Sequence, residues 1–223
     1  ADQPLVLGHA LAARCDAFAG PAHLGERLAS ADEIITLALR HHDVPLELLG
    51  RRLRVVALFE SLRYSDVDLE IGRYRRAADA LGDPLYSWYA PLWQAARGFG
   101  RGELDDARAF ASEAVRLGAQ GHSQNSALLG SVLDLMVSIE PRDRARIAGS
   151  MEVMLTLVPD TVSEYHALSS AYVEIRLGDG AAARALLNAI WTASFNAIPR
   201  DSEWLAWLSQ LVIASSMTAN ADL

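Results

Sequence analysis

The stretch RGELDDARAFASEAVRLG, Arg101–Gly118, decides the fold, because LGDGAAARALLNAIWTASF, Leu177–Phe195, follows the same plan. Each opens on a glycine-containing turn and continues as a helix in which small alanines recur every three or four positions. They are Ala107, Ala111 and Ala114 in the first stretch and Ala182, Ala185 and Ala189 in the second. Alanines at that spacing share one helix face and let a neighbouring helix approach closely. Working outward, the tight turns that join paired helices fall near Gly20, Tyr64, Gly102, Pro141 and Gly178, at intervals of 44, 38, 39 and 37 residues. Such an interval marks tandem helix pairs. No pair buries its apolar stripe alone, so successive pairs stack and leave a concave face.

Apolar residues recur at helical spacing almost throughout, and alternating runs bounded by turn residues are nearly absent, so the fold class is all-α. The spacing predicts about eleven helices, over 4–19, 23–41, 45–63, 65–81, 84–99, 103–118, 124–138, 143–158, 162–177, 180–196 and 201–218. Their breaks coincide with Gly20-Pro21, Gly82-Asp83-Pro84, Gly118, Pro141, Pro159, Gly178-Asp179-Gly180 and Pro199, the residues that stop helices. A single helical-repeat domain over 1–223 is expected. Its last helix carries Trp204, Trp207, Leu208, Leu211 and Val212 on one stripe with no polar capping helix after it. The chain starts Ala1-Asp2-Gln3-Pro4, with neither a basic flank nor an initiating Met. Both features lead us to expect a fragment of a longer multidomain protein.

Composition closes several function classes. The 28 acidic residues outnumber 20 basic ones for a net charge of −8, which disfavours broad attraction to nucleic acid or an anionic membrane. All 20 basic residues are arginine. Without lysine there is no phosphate-loop lysine, no Schiff base and no lysine general base. The lone Cys15 lies in an Ala- and Leu-rich helical stretch and reads as a buried thiol, with no disulfide possible within one chain. The charge-free stretch from Trp204 to Ala221 contains Ser209, Gln210, Ser215, Ser216, Thr218 and Asn220, too much polarity for a membrane span. A cytoplasmic location, no membrane association and no cofactor are the expectations.

Few residues suggest chemistry. Gly98-Phe99-Gly100-Arg101-Gly102 has the look of a phosphate loop, but it follows a helix instead of a strand and reads as a turn. Glu103, Asp105 and Asp106 resemble the start of the aspartate-rich metal motif of all-helical terpene synthases. The pattern fails at Arg108 and Ala109, and acids in a helix's first turn are explained by its dipole, as Asp66 and Asp68 are in the preceding repeat. His41 and His42 diverge by about 100° on a helix and cannot chelate one ion together. His166, beside Glu164 and Tyr165, has no evident third ligand or nucleophile. The arginine clusters Arg51, Arg52 and Arg54; Arg73, Arg75 and Arg76; and Arg142, Arg144 and Arg146 are interleaved with Glu47, Glu70, Asp79, Glu140 and Asp143. They read as solvated helix faces.

The candidate ligand site is aromatic. Tyr86, Tyr89, Trp93 and Arg97 fall at i, i+3, i+7 and i+11 of the helix predicted over 84–99, with Trp88 beside them. On a continuous helix they share a face and could stack a planar or sugar-like ligand near a guanidinium. Core packing is the alternative use of the same stripe, as it is for Trp204 and Trp207.

The stretch from Arg52, RLRVVALFESLRYSDVDLEIGRYRRAADALGDPLYSWYAPLWQAARGFGRGELDDARAFASEAVRLG, resembles the tetratricopeptide-like helical region of large actinobacterial signalling ATPases. Asn196–Leu208, NAIPRDSEWLAWL, resembles the same region, its Pro199-Arg200-Asp201 helix start being the most specific element. The resemblance covers roughly residues 20–218. It implies a right-handed superhelical array of antiparallel helix pairs. It also implies a sensor coupled to a nucleotide-binding domain, often with an adenylate-cyclase-type or LuxR-type DNA-binding domain. The expected function is therefore a non-catalytic sensor or interaction domain of a cytoplasmic signalling or transcriptional regulator, binding a protein, peptide or small ligand on its concave face. Direct nucleic-acid binding is not expected of these residues, since no helix-turn-helix stands among them. A stand-alone protein–protein scaffold and a terpene-synthase-like enzyme are the alternatives.

Overall fold

The computed structural model describes residues 3–19, 21–157, 163–193 and 204–217. Among these it is all helical, without a strand. The helices are α1 (Gln3–Ala17), α2 (Leu24–His41), α3 (Val44–Glu60), α4 (Tyr64–Leu81), α5 (Pro84–Ser87) and α6 (Tyr89–Arg101), followed by α7 (Leu104–Gln120), α8 (Gln124–Ile139), α9 (Arg144–Leu157), α10 (Ser163–Leu177), α11 (Gly180–Ala193) and α12 (Trp204–Met217). A 3₁₀ turn, Pro21–His23, leads into α2. No described helix is long and apolar enough to cross a membrane. The turn at Pro159 and the Pro199-Arg200-Asp201 helix start lie outside the described residues, as do the side chains of His166, Trp204 and Trp207.

One turn geometry is used over and over. His42, Leu62, Gly82, Gly102, His122 and Arg142 all have left-handed backbones, with φ between 52° and 78°, and each stands 20 residues after the one before. At five of these six turns the amide of the following residue donates to a carbonyl five residues back. The bonds are Asp43 to Ala38, Arg63 to Leu58, Glu103 to Gly98, Ser123 to Gly118 and Asp143 to Ser138, at 2.9–3.0 Å. This is the six-to-one bond of a Schellman stop, which satisfies carbonyls that the helix end leaves open. The residue that donates is also the N-cap of the next helix. Side-chain oxygens of Asp43, Asp83, Ser123 and Asp143 accept amides two or three residues on, at 2.9–3.2 Å. Gly178 and Asp179 repeat the arrangement, with Asp179 donating to Glu174 and accepting from Ala182.

The left-handed backbone suits glycine, and a side chain there costs about 1–2 kcal/mol. Leu62 is 68% exposed, so its side chain recovers little of that cost by burial. Leu62→Gly is therefore expected to stabilise the α3–α4 hairpin by up to about 1 kcal/mol, after the larger unfolded-state entropy of glycine is subtracted. Slower amide exchange in α3 and α4 checks it, and faster exchange refutes it.

The helix expected over 84–99 is two helices. Pro91 cannot donate to the Ser87 carbonyl four residues earlier, and its ring would press on that carbonyl. The chain accordingly ends α5 at Ser87, turns through Trp88 and restarts α6 at Tyr89, which leaves Pro91 in a first turn where proline is tolerated. The glycine-rich stretch is also more helical than expected. Gly98 to Arg101 complete α6, and only Gly102 adopts the left-handed turn.

The chain divides into two compact units, Ala1–Gly130 and Ser131–Leu223. In the first, Ile34 and Ala38 of α2 pack with Ala12 of α1 and Leu46 of α3. A larger cluster joins Leu48, Val55 and Leu58 of α3 to Val67, Ile71 and Tyr74 of α4 and to Ala90 and Trp93 of α6. Ala107, Ala111 and Ala114 are buried, as their spacing predicts. Farther along the same helix, a Cβ on Gly118 would stand 1.9 Å from Ser126 Oγ, so α7 and the start of α8 touch at a point where only glycine fits. In the second unit, Leu135 and Ile139 of α8 meet Ile147 of α9 and Tyr172, Val173 and Leu177 of α10. Leu168, Ala171 and Ile175 of α10 pack with Ala183 and Leu187 of α11 and Ala214 of α12.

Candidate functional site

The break at Trp88 separates the four aromatic-site residues. Tyr86 lies on α5, while Tyr89, Trp93 and Arg97 lie on α6. Trp93 is a core residue, packed edge-on against Tyr74 at 4.8 Å between ring centroids. Arg97 reaches back to the start of α4. There its guanidinium donates to both carboxylate oxygens of Asp68, at 2.8 and 3.0 Å, and lies 4.6 Å from the Tyr64 ring centroid. Hydrogen bonding to Arg97 holds the Asp68 carboxyl below its ordinary pKa, outweighing the opposing effect of burial. Arg97 is thereby engaged within the fold, and neither it nor Trp93 lines the cavity that Tyr86 and Tyr89 share.

Tyr86 and Tyr89 do come together, in the wall of a cavity of about 400 Å³ in the first unit. Three leucines of α3, Leu46, Leu48 and Leu49, line it together with Leu5 of α1 and Leu85 of α5. Tyr74 forms its floor. Its ring is fully buried, and its hydroxyl donates to the Tyr86 carbonyl at 3.1 Å, fixing α5 over α4. Burial pushes the Tyr74 hydroxyl well above the ordinary tyrosine pKa, so it stays a proton donor. Trp88, 1% exposed, stacks on the Tyr89 ring at 3.8 Å and backs it from the interior.

The polar groups of the cavity are Arg52, Asp43, His9 and the tyrosine hydroxyls. Arg52 donates to the Tyr89 hydroxyl at 3.1 Å, and its guanidinium lies 5.7 Å from that ring's centroid. Sequence reading grouped Arg52 with Arg51 and Arg54 as one solvated cluster, but the helix turns them apart. Arg51 and Arg54 converge on Glu70, which is 1% exposed in the middle of the core-facing stripe of α4. Arg73 reaches the same carboxylate at 3.2 Å, and Arg54 also pairs with Asp32 of α2 at 2.9 Å. Burial works against the charge of Arg51, yet hydrogen bonds to Glu47 and Glu70 outweigh it and raise its pKa. A second half-buried pair, Arg27 with Glu60, ties α2 to the end of α3 at 2.5 and 3.0 Å.

Other suggested sites do not assemble. Glu103, Asp105 and Asp106 are all exposed at the start of α7, so the facing carboxylates that a terpene-synthase-like centre requires are not formed by them. No group of three His, Cys, Asp or Glu side chains able to hold a metal occurs among the described residues. His41 closes α2, and His42 is the left-handed residue after it. Cys15 is buried, and burial raises its thiol pKa, which keeps it a poor nucleophile. Comparison with protein-family models, with curated proteins and with solved structures gives no match for this chain.

Proposed function

We propose that the chain is a non-catalytic sensor domain whose ligand site is the cavity between α1, α3 and the α5–α6 junction. In the full gene product it would serve a multidomain cytoplasmic signalling or transcriptional regulator of the kind its sequence resembles. The observation that carries this reading is the cavity: apolar walls from five leucines, three tyrosines, and a few polar groups. That is the usual composition of a small-molecule site. Its volume of about 400 Å³ equals the space of roughly a dozen water molecules. Among the expected partner classes it favours a small molecule over a folded protein. The regulator context rests on the sequence resemblance, and it expects a phosphate loop or a helix-turn-helix encoded elsewhere in the same gene product. A gene product with neither removes that part of the reading.

The cavity is tested with a neutral dye, N-phenyl-1-naphthylamine, which fluoresces in apolar surroundings. One dye per chain is expected to bind. Leu85→Trp is expected to abolish binding by filling the cavity from its rim, where Leu85 is 48% exposed and the larger ring has room. Undiminished binding to Leu85→Trp, or no binding to the parent chain, would show that the cavity is not the site.

A further inference from the structure

We infer that the ligand is a small organic acid with a ring-sized apolar body, its carboxylate held by Arg52. This rests on the reading of the cavity as a ligand site and names the chemistry that the site selects. Arg51 and Arg54 lie three residues apart on the face of α3 turned to Glu70, and both are ion-paired there. Arg52 stands about 100° round the helix from Arg51, in the cavity wall. None of the ion pairs among the described residues involves Arg52. Its one side-chain hydrogen-bond partner among the described residues is the Tyr89 hydroxyl, which takes one of five guanidinium donors and cancels none of the charge. A half-buried guanidinium, steadied by a neutral hydroxyl and facing an apolar cavity, is suited to a carboxylate that can take two parallel donors.

Two other groups that can carry charge face the cavity, and their positions orient the ligand. Asp43 is the N-cap of α3, its Oδ1 accepting from the Leu46 amide at 2.9 Å. It stands nine positions before Arg52 along α3, about 13 Å of helix axis between their backbones. His9 projects from α1. Along α3, Leu46 and Leu49 come between Asp43 and Arg52, and Leu85 and Tyr86 of α5 also line the cavity. The acid end of the ligand therefore belongs at Arg52, the ring along the leucines, and an uncharged or hydrogen-donating end toward Asp43.

Three probes of one shape separate charge from shape: 3-phenylpropionate, 3-phenylpropionamide and 3-phenylpropylamine, each titrated calorimetrically into the chain. The carboxylate is expected to bind about tenfold tighter than the amide. Arg52→Gln is expected to erase that advantage, the carboxylate losing far more affinity than the amide. Tyr89→Phe removes only the hydroxyl that steadies the guanidinium and is expected to weaken the carboxylate several-fold, so it carries the test if Arg52→Gln does not fold. Equal binding of carboxylate and amide, unaffected by either variant, would overturn the acid and leave a site for neutral molecules. Tightest binding of the amine would overturn it in favour of a cation at Asp43. Failure of all three probes while the neutral dye binds would also overturn it, and failure of the dye as well would remove the cavity reading.

Discussion

Glu70→Gln is expected to destabilise the first unit by about 3–5 kcal/mol, the cost of removing one member of a buried ionic group and leaving the others without their counter-charge. Glu70 is 1% exposed and receives Arg51, Arg54 and Arg73. An amide fits the same space but carries no charge, so Arg51 keeps only Glu47 and Arg54 only Asp32. The shape of the core is unchanged, so the loss measures charge alone. Because the chain has two compact units, one global melting curve need not follow a single transition. The readout is therefore hydrogen exchange in α3 and α4, where protection should fall steeply while α10 and α11 keep theirs. A loss below about 1 kcal/mol, the scale of an exposed ion pair, would mean that solvent reaches the group freely. In a cycle with Arg51→Met, the double variant should cost less than the sum of the singles.

Trp88→Ala is the second large effect, about 3–5 kcal/mol for emptying a buried indole site. Trp88 fills the angle where α5 gives way to α6, with the Tyr89 ring on one side. On its other side is the glycine contact of α7, where a Cβ on Gly118 would come within 3.4 Å of the indole. Its indole nitrogen has no hydrogen-bond partner among the described residues, so Trp88→Phe gives up packing without orphaning an acceptor and is expected to recover most of the loss. The same substitution removes the support behind Tyr89, and the neutral dye should bind Trp88→Ala more weakly than Trp88→Phe. Equal dye affinity in the two variants would separate the cavity from the packing beneath it.

Most helix boundaries could be read from the sequence because the signals are local. Asp43, Asp83, Asp143 and Asp179 are caps that need only their own turn to be recognised. What was harder to see had competing signals. The interval of 37–44 residues read from Gly and Pro turns is a blurred view of the 20-residue spacing, since His42, Leu62, His122 and Arg142 stand where glycine is the recognisable residue. The break at Trp88 is concealed by apolar spacing that runs on through it, although Pro91's missing donor predicts a restart within its first turn. Glu70 looked like one more surface acid. Its place on the stripe of Val67, Ile71 and Tyr74 is the signal that it is buried, and the nearby arginines are what such a carboxylate requires. The site itself was half legible. Tyr86 and Tyr89 were found from helical spacing, but Arg52, Asp43 and His9 come to them from other helices, and one-dimensional spacing carries no record of that.

The spacing of the left-handed turns also bears on how this chain can be altered. From His42 to Arg142 each helical segment and its turn occupy one fixed length, α5 and α6 together filling one such segment, so the turns act as graduations on a ruler. One residue added inside a helix would rotate everything after it by about 100° and carry the buried stripe off its neighbours, whereas a residue added at a turn leaves both stripes in phase. Engineered insertions, affinity tags and protease sites therefore belong next to residues 62, 102 and 142. The turns at His42, Gly82 and His122 are exceptions, because Asp43 is part of the cavity wall, Asp83 caps the cavity residue Leu85 and Gly121 packs on the Leu85 backbone.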